Sequence, residues 1–261
     1  MATREEQEPA PLARLEPLEE GDFHVLGEGL ARDPQYNDRR LHARRKLGAI
    51  GKAAQAAIRD ATREATGEAV SLLQRTSLHQ PHAFNHMRVK RLWAYLCRDK
   101  PEKTRLKRVL GPELGADLDA AYRNAYLCVA LEEEFVEVSL RIHRDAWYDG
   151  QNLLNRLKKE GFTEWLRLLN ARPGWRLRMD DWKGEWPCGK LDGTRLEEYL
   201  RYYKPGDHAM VIERRVPAPR GARGEVLLPD FPGRLVADLV SLAPLYRYMV
   251  WSRESDHLLS R

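Results

Sequence analysis

The sequence is poor in the features that identify a function by motif. Only three cysteines occur in 261 residues, Cys97, Cys128 and Cys188. None forms a C-x-x-C pair, which excludes a zinc ribbon and a thioredoxin-type redox motif. No apolar run approaches 18 residues, so no stretch of the sequence reads as a membrane-spanning helix. The first 22 residues, MATREEQEPAPLARLEPLEEGD, have neither the basic start nor the apolar stretch of a secretory signal. With an odd cysteine left over, the expected location is the cytoplasm. There is no G-x-G-x-x-G, Walker loop, G-x-S-x-G elbow, H-E-x-x-H or kinase signature, and no repeat of 20–50 residues. No cofactor is implied.

What the chain does have is core-forming material and an uneven charge. Apolar residues make up 43%, with 7 Trp, 10 Tyr and 5 Phe, enough to bury a globular interior. The formal net charge is +5, but it is not evenly spread. Residues 1–38 hold three basic and ten acidic residues, a net −7; residues 39–110 hold 18 basic and five acidic, a net +13; the remainder is close to neutral. Residues 1–38, with four prolines, read as an acidic extended arm, with Phe23–Leu30 able to dock on the body. Residues 39–261 read as a single globular domain.

Hydrophobic periodicity supplies the elements. Leu41, Leu47, Ile50, Ala54, Ala57, Ile58, Ala61 and Ala65 predict a long amphipathic helix over 41–69, with Asp38 as its cap. Arg39, Arg40, Arg44, Arg45 and Lys46 crowd its first turns, where the helix dipole favours anions. A partner is therefore expected to supply negative charge, and the acidic arm is the nearest source. Strands are expected at Val70–Leu78 and Arg88–Cys97, and helix over 101–123. A hairpin is expected from Ala125–Leu131 to Glu134–His143, whose second strand alternates Val136, Val138, Leu140 and Ile142 against Glu137, Ser139, Arg141 and His143. Further helices are predicted at Asp149–Glu160, Thr163–Ala171, Asp192–Tyr203 and Gly233–Trp251, the last broken near Pro244. Strands are predicted at Trp175–Asp180 and His208–Val216. Without regular βα alternation, the fold class is α+β: a mostly antiparallel sheet covered by helices, with a long N-terminal amphipathic helix.

Three clusters are candidates for chemistry. His79, His82 and His86 fall within eight residues, and imidazole is a common metal ligand; a metal site and a phosphate-binding loop are the functional readings, and a polar β-connection is the alternative. Arg141, His143, Asp145, Trp147, Tyr148 and Asp149 end the hairpin. There His143 with Asp145 or Asp149 offers general acid–base chemistry, and the Arg–aromatic mixture offers a stacking surface. The loop Asp180, Asp181, Trp182, Glu185 and Trp186 is a third candidate, as a lid or a partner contact. The favoured function is a binding module. Arg39, Arg40, Arg44, Arg45, Lys46, Arg88, Lys90 and Arg91 would contact a polyanion such as nucleic acid, or an acidic protein partner. An enzyme working near His79–His86 or His143–Asp149 is the alternative. An interaction subunit using the Ala-rich helix is a third reading.

The segments VSLLQRTSL, RVKRLWAYL, EFVEVSLRI, DGQNLLNRLKKEGFTEWLRLL and RLVADLVSLAPLYRYM follow in an order that resembles the YktB-like bacterial α+β families of unknown function. The likeness extends over about residues 41–252. It implies an antiparallel sheet covered by helices, and it implies no catalytic residues.

Overall fold

The structure is a computed structural model and describes residues 15–179, 182–219, 221 and 223–258. Its centre is a seven-stranded sheet in the order β1-β2-β3-β4-β7-β5-β6. The strands are β1 (Leu72–Thr76), β2 (Arg91–Arg98), β3 (Tyr126–Glu132), β4 (Phe135–Ile142), β5 (Arg176–Met179), β6 (Trp186–Pro187) and β7 (Met210–Pro217). Every pairing between these strands is antiparallel. The helices are α1 (Glu20–His24), α2 (Asn37–Thr66), α3 (Lys100–Leu114), α4 (Trp147–Glu160), α5 (Thr163–Asn170), α6 (Gly193–Tyr202), α7 (Phe231–Ser241) and α8 (Ala243–Met249). The fold is α+β, as the element order predicts. Among the described residues, no helix is long and apolar enough to cross a membrane.

Period-two alternation assigns the two faces of the sheet. Leu92, Ala94 and Leu96 of β2, Leu127, Val129 and Leu131 of β3, Val136, Val138, Leu140 and Ile142 of β4, and Met210 and Ile212 of β7 all enter one hydrophobic core. α2 and α7 pack on this face. α2 comes close because its contact stripe is small: a Cβ at Gly51 would lie 3.2 Å from the Ala94 Cβ and 3.1 Å from the Gln74 side chain.

Several element boundaries differ from expectation for identifiable reasons. α2 begins at Asn37, its first-turn acid is Asp38, and no side chain caps it; Asp38 therefore serves the dipole rather than the cap. The helix stops at Gly67, which takes the left-handed conformation (φ 76°) that glycine adopts without strain. α3 is kinked where Gly111 (φ 82°) precedes Pro112, so it does not run on to residue 123. β6, two residues long, carries no periodic signal and was not expected. α7 and α8 meet at Leu242, two residues before Pro244.

Within the expected arm, Phe23–Leu30 docks on the body as expected, and the packing extends beyond it on both sides. Leu18, Phe23, Val25, Leu26 and Ala31 are buried, and the Val89 N–H donates to the Ala31 carbonyl at 2.8 Å. Residues 1–14 of the expected arm lie outside the described residues.

Candidate functional site

The other face of the sheet carries the residues that alternate with the core. Registration aligns them across five strands. Arg91 faces Glu132; Tyr95 faces Cys128; Cys128 faces Ser139; Glu137 faces Arg215; Ser139 faces Glu213; and Glu213 faces Arg176. Two carboxylates, Glu137 and Glu213, lie at the base of this layer with side-chain exposures of 0% and 1%. Burying a carboxylate is costly unless it is paired and hydrogen-bonded, and both are paired several times over.

Glu137 Oε1 accepts from Arg141 Nη2 at 2.6 Å, Arg91 Nη2 at 2.9 Å and the Ser139 hydroxyl at 2.8 Å. Its Oε2 lies 3.3 Å from Arg215 Nη2. Glu213 Oε1 accepts from Arg176 Nε at 2.9 Å and Arg178 Nη1 at 2.8 Å, and its Oε2 accepts from Arg215 Nη2 at 3.2 Å. Arg141 lies 3.7 Å from Glu213, so Arg141 and Arg215 each reach both carboxylates. Arg91 also pairs with Glu132, and Arg176 with Glu185 at 2.7 Å. Burial alone would raise the Glu137 pKa, but the Arg141 and Arg91 charges outweigh it and hold the carboxyl well below its ordinary range. Glu137 is thus a fixed anion, unsuited to giving up or taking a proton.

The five guanidiniums remain partly exposed, with side-chain accessibilities of 18–31%. They form a layer of donors on one sheet face, each bonded to Glu137 or Glu213. Beside them runs a strip of rings. Trp93 and Tyr95 have centroids 4.9 Å apart, Tyr95 and Tyr126 are 5.9 Å apart edge to face, and Tyr122 meets His143 at 5.8 Å. Arg215 lies 4.3 Å over the Phe135 ring. Burial pushes the Tyr95 hydroxyl up to about 12. Cys128, beneath the strip, is likewise raised by burial and behaves as a packed thiol rather than a nucleophile. Taken together, Arg91, Arg141, Arg176, Arg178 and Arg215 offer flat, bidentate-capable donors next to π-faces.

Most of the residues predicted from sequence sit elsewhere. Arg40 is buried, donating to the carbonyls of His79, Leu30 and Asp33 and to the Asn37 side chain. Lys46 is buried 2.9 Å from Asp22. Arg39 pairs with Glu19, and Arg88 and Lys90 both pair with Glu28. Arg44 lies 3.5 Å from the Ser77 carbonyl, and Arg45 is exposed on α2. The unfavourable charge at the start of α2 is therefore met by the acidic segment Glu16–Glu28. Of the eight predicted polyanion contacts, only Arg91 belongs to the sheet face.

Among the described residues, no three His, Cys, Asp or Glu side chains converge to hold an ion, those of His79, His82 and His86 included. His82 Nδ1 instead accepts from the Phe84 N–H at 3.2 Å, and His86 sits in a left-handed turn (φ 53°). The acid–base set is brought together only in part. His143 Nδ1 accepts from the Asp145 N–H at 3.2 Å, capping a turn, and lies 3.6 Å from the Asp145 carboxylate. Asp149 points into the interior, where it takes two hydrogen bonds from Arg98 and one each from the N–H groups of Ala125 and Trp251. In the third cluster, Trp182 stacks on Tyr202 at 4.9 Å and Trp186 is buried; Asp180 and Asp181 lie outside the described residues.

Arg176, Arg178, Glu213 and Arg215 were not singled out from the sequence. A signal was available, because β5 and β7 alternate arginine or glutamate with apolar residues as β4 does. What was missing was the pairing that brings these strands beside β4. Set against protein-family models and against curated proteins, the chain matches none.

Proposed function

We propose that the sheet face carrying the arginine layer binds single-stranded nucleic acid, with phosphates on the arginine layer and bases on Trp93 and Tyr126, the two half-buried rings that flank the buried Tyr95. The observation that carries this reading is the arginine layer itself. Five guanidiniums are pre-positioned on two buried carboxylates, which lowers the entropic cost of engaging an anion, and rings lie alongside them. Stacking on aromatic faces tolerates any base, so the expected binding depends little on sequence. Unstacked bases of a single strand can lie against exposed rings, whereas those of a duplex are held within its stack, and this favours single strands.

Titration of a fluorescent 12-mer of oligouridine or oligothymidine, followed by anisotropy across salt concentrations, tests this. Affinity should fall steeply with salt. Arg178→Ala should flatten the slope of log K against log salt by about 0.7. Trp93→Ala should cost about 1–3 kcal/mol with the slope unchanged. Absence of binding at low salt sinks the proposal. A loss on Arg45→Ala larger than on Arg178→Ala would move the interface to α2.

A further inference from the structure

The connection from β1 to β2, residues 77–90, carries a tip with no part in the arginine layer. Phe84 is 86% exposed, Met87 57% and Leu78 48%, and Phe84 is the most exposed large apolar side chain among the described residues. Scattered apolar residues on a surface are ordinary, but three on one short connection mark a place that meets something apolar. From Gln80 to Met87 the stretch QPHAFNHM contains no lysine, arginine, aspartate or glutamate.

The tip is built and anchored. The His79 carbonyl accepts from buried Arg40 at 3.0 Å, and the Val89 N–H donates to the Ala31 carbonyl at 2.8 Å, so both limbs are tied to the body. Between them the backbone bonds to its own turn. The Phe84 N–H donates to His82 Nδ1, those of Asn85 and Met87 to the His82 carbonyl, that of His86 to the Ala83 carbonyl and that of Arg88 to the Asn85 carbonyl. The Asn85 side chain closes the turn, accepting from the His82 N–H at 2.8 Å and donating to the Gln80 carbonyl at 2.9 Å. His86 and Met87 are both left-handed (φ 53° and 58°), which two successive non-glycine residues rarely are. The Phe84 ring stacks on His82, with centroids 4.9 Å apart. A turn whose donors are already bonded can leave water without stranding its N–H groups.

The base of the tip is cationic. Arg88 and Lys90 share one carboxylate, Glu28, and Arg32 lies close enough to help depress its pKa. On the other limb Arg44 and Arg45 lie close enough to His79 to act on it, with Asp38 opposing them. With Arg40, six cations stand around the base against three carboxylates, Glu28, Asp33 and Asp38.

We propose that this tip inserts into the surface of an anionic lipid bilayer. Phe84 and Met87 would enter the boundary between headgroups and acyl chains, and Arg44, Arg45, Arg88 and Lys90 would face the lipid anions. An uncharged apolar tip above a cationic base matches the layering of such a surface, anionic outside and apolar within. A nucleic-acid strand could stack on Phe84 but gives Met87 and Leu78 no apolar contact.

Cosedimentation of the full chain with vesicles of phosphatidylcholine, alone or mixed with phosphatidylserine, is the test. Binding to the mixed vesicles should be at least about tenfold tighter, because each cation near an anionic surface contributes several-fold. Phe84→Ser should weaken binding to the mixed vesicles at least about tenfold, the partitioning lost with a phenylalanine side chain, and leave the melting temperature unchanged. Met87→Gly should weaken it several-fold without lowering the melting temperature, since glycine takes a left-handed φ freely. Arg178→Ala should leave vesicle binding unchanged, so this site and the sheet face stand or fall separately. No sedimentation with mixed vesicles at low salt, equal binding to the two vesicles, or undiminished binding of Phe84→Ser overturns the proposal. Self-association that depends on Phe84, with no vesicle binding, would assign the tip to a second copy of the chain instead.

Discussion

At the scale of single residues, the strongest commitments are the buried charges. Glu137 and Glu213 hold the arginine layer together, and removing one partner of such a set leaves the others buried and uncompensated. Glu137→Gln is expected to lower stability by about 3 kcal/mol, read from the urea midpoint at neutral pH. The same carboxylate predicts a pH dependence. Its pKa is depressed in the folded protein, so its contribution is complete above the ordinary value of 4.5 and is lost as pH falls below that toward the folded value. Urea midpoints measured from pH 7 downward should decline from about pH 4.5. The decline should be shallower in Glu137→Gln; parallel curves would show that other carboxylates dominate. Asp149 belongs with these residues. It joins β2, β3, α4 and the segment after α8 through Arg98, Ala125 and Trp251, a role that uses all its acceptor capacity and leaves none for catalysis.

At the scale of elements, the N-terminal segment changes most between sequence and structure. Its acids and prolines read as a solvated arm. Its apolar residues, spaced at Leu18, Phe23, Val25 and Leu26, are too few for a periodic pattern, yet all four are buried against the body. The same segment brings Glu16, Glu19, Asp22 and Glu28 to the basic residues of α2 and of the stretch before β2. Two consequences follow from this packing. Phe23→Ala should cost about 3–5 kcal/mol, the usual price of emptying a buried phenylalanine site, as measured by chemical denaturation. A chain beginning at residue 39 should lose its cooperative unfolding transition, because it exposes that core and strands Lys46 without Asp22. A cooperative transition of unchanged midpoint would show that the segment is only a covering.

At the scale of the whole molecule, the charge asymmetry acquires a different meaning. Part of the net +13 of residues 39–110 is taken up: some is buried, as at Arg40 and Lys46, and some is paired with the acidic segment. The arginines held on buried carboxylates come mainly from strands beyond residue 110. α2 and α7 cover one face of the sheet, and the polar, ring-bearing face carries the arginine layer. If that face binds nucleic acid as proposed, affinity should respond to the β4, β5 and β7 arginines more than to those of α2. Paired titrations of Arg178→Ala and Arg45→Ala decide this.

Alternation in β2, β4 and β5, the alanine-rich period of α2 and the turn between β3 and β4 are local patterns, set by the geometry of helix and strand. The sequence alone therefore determined the α+β class, most elements, and which residues of each strand share a face. It could not show which strands are neighbours, because the β4–β7 and β5–β7 pairings join segments far apart in the chain. Only the tertiary structure decided that Glu137 and Glu213 lie in one layer, and that Arg40, Lys46 and Asp149 serve the interior. The physical reason is that charge acts through space: an arginine side chain meets whatever carboxylate the fold brings within a few ångströms, and linear composition records no such distance.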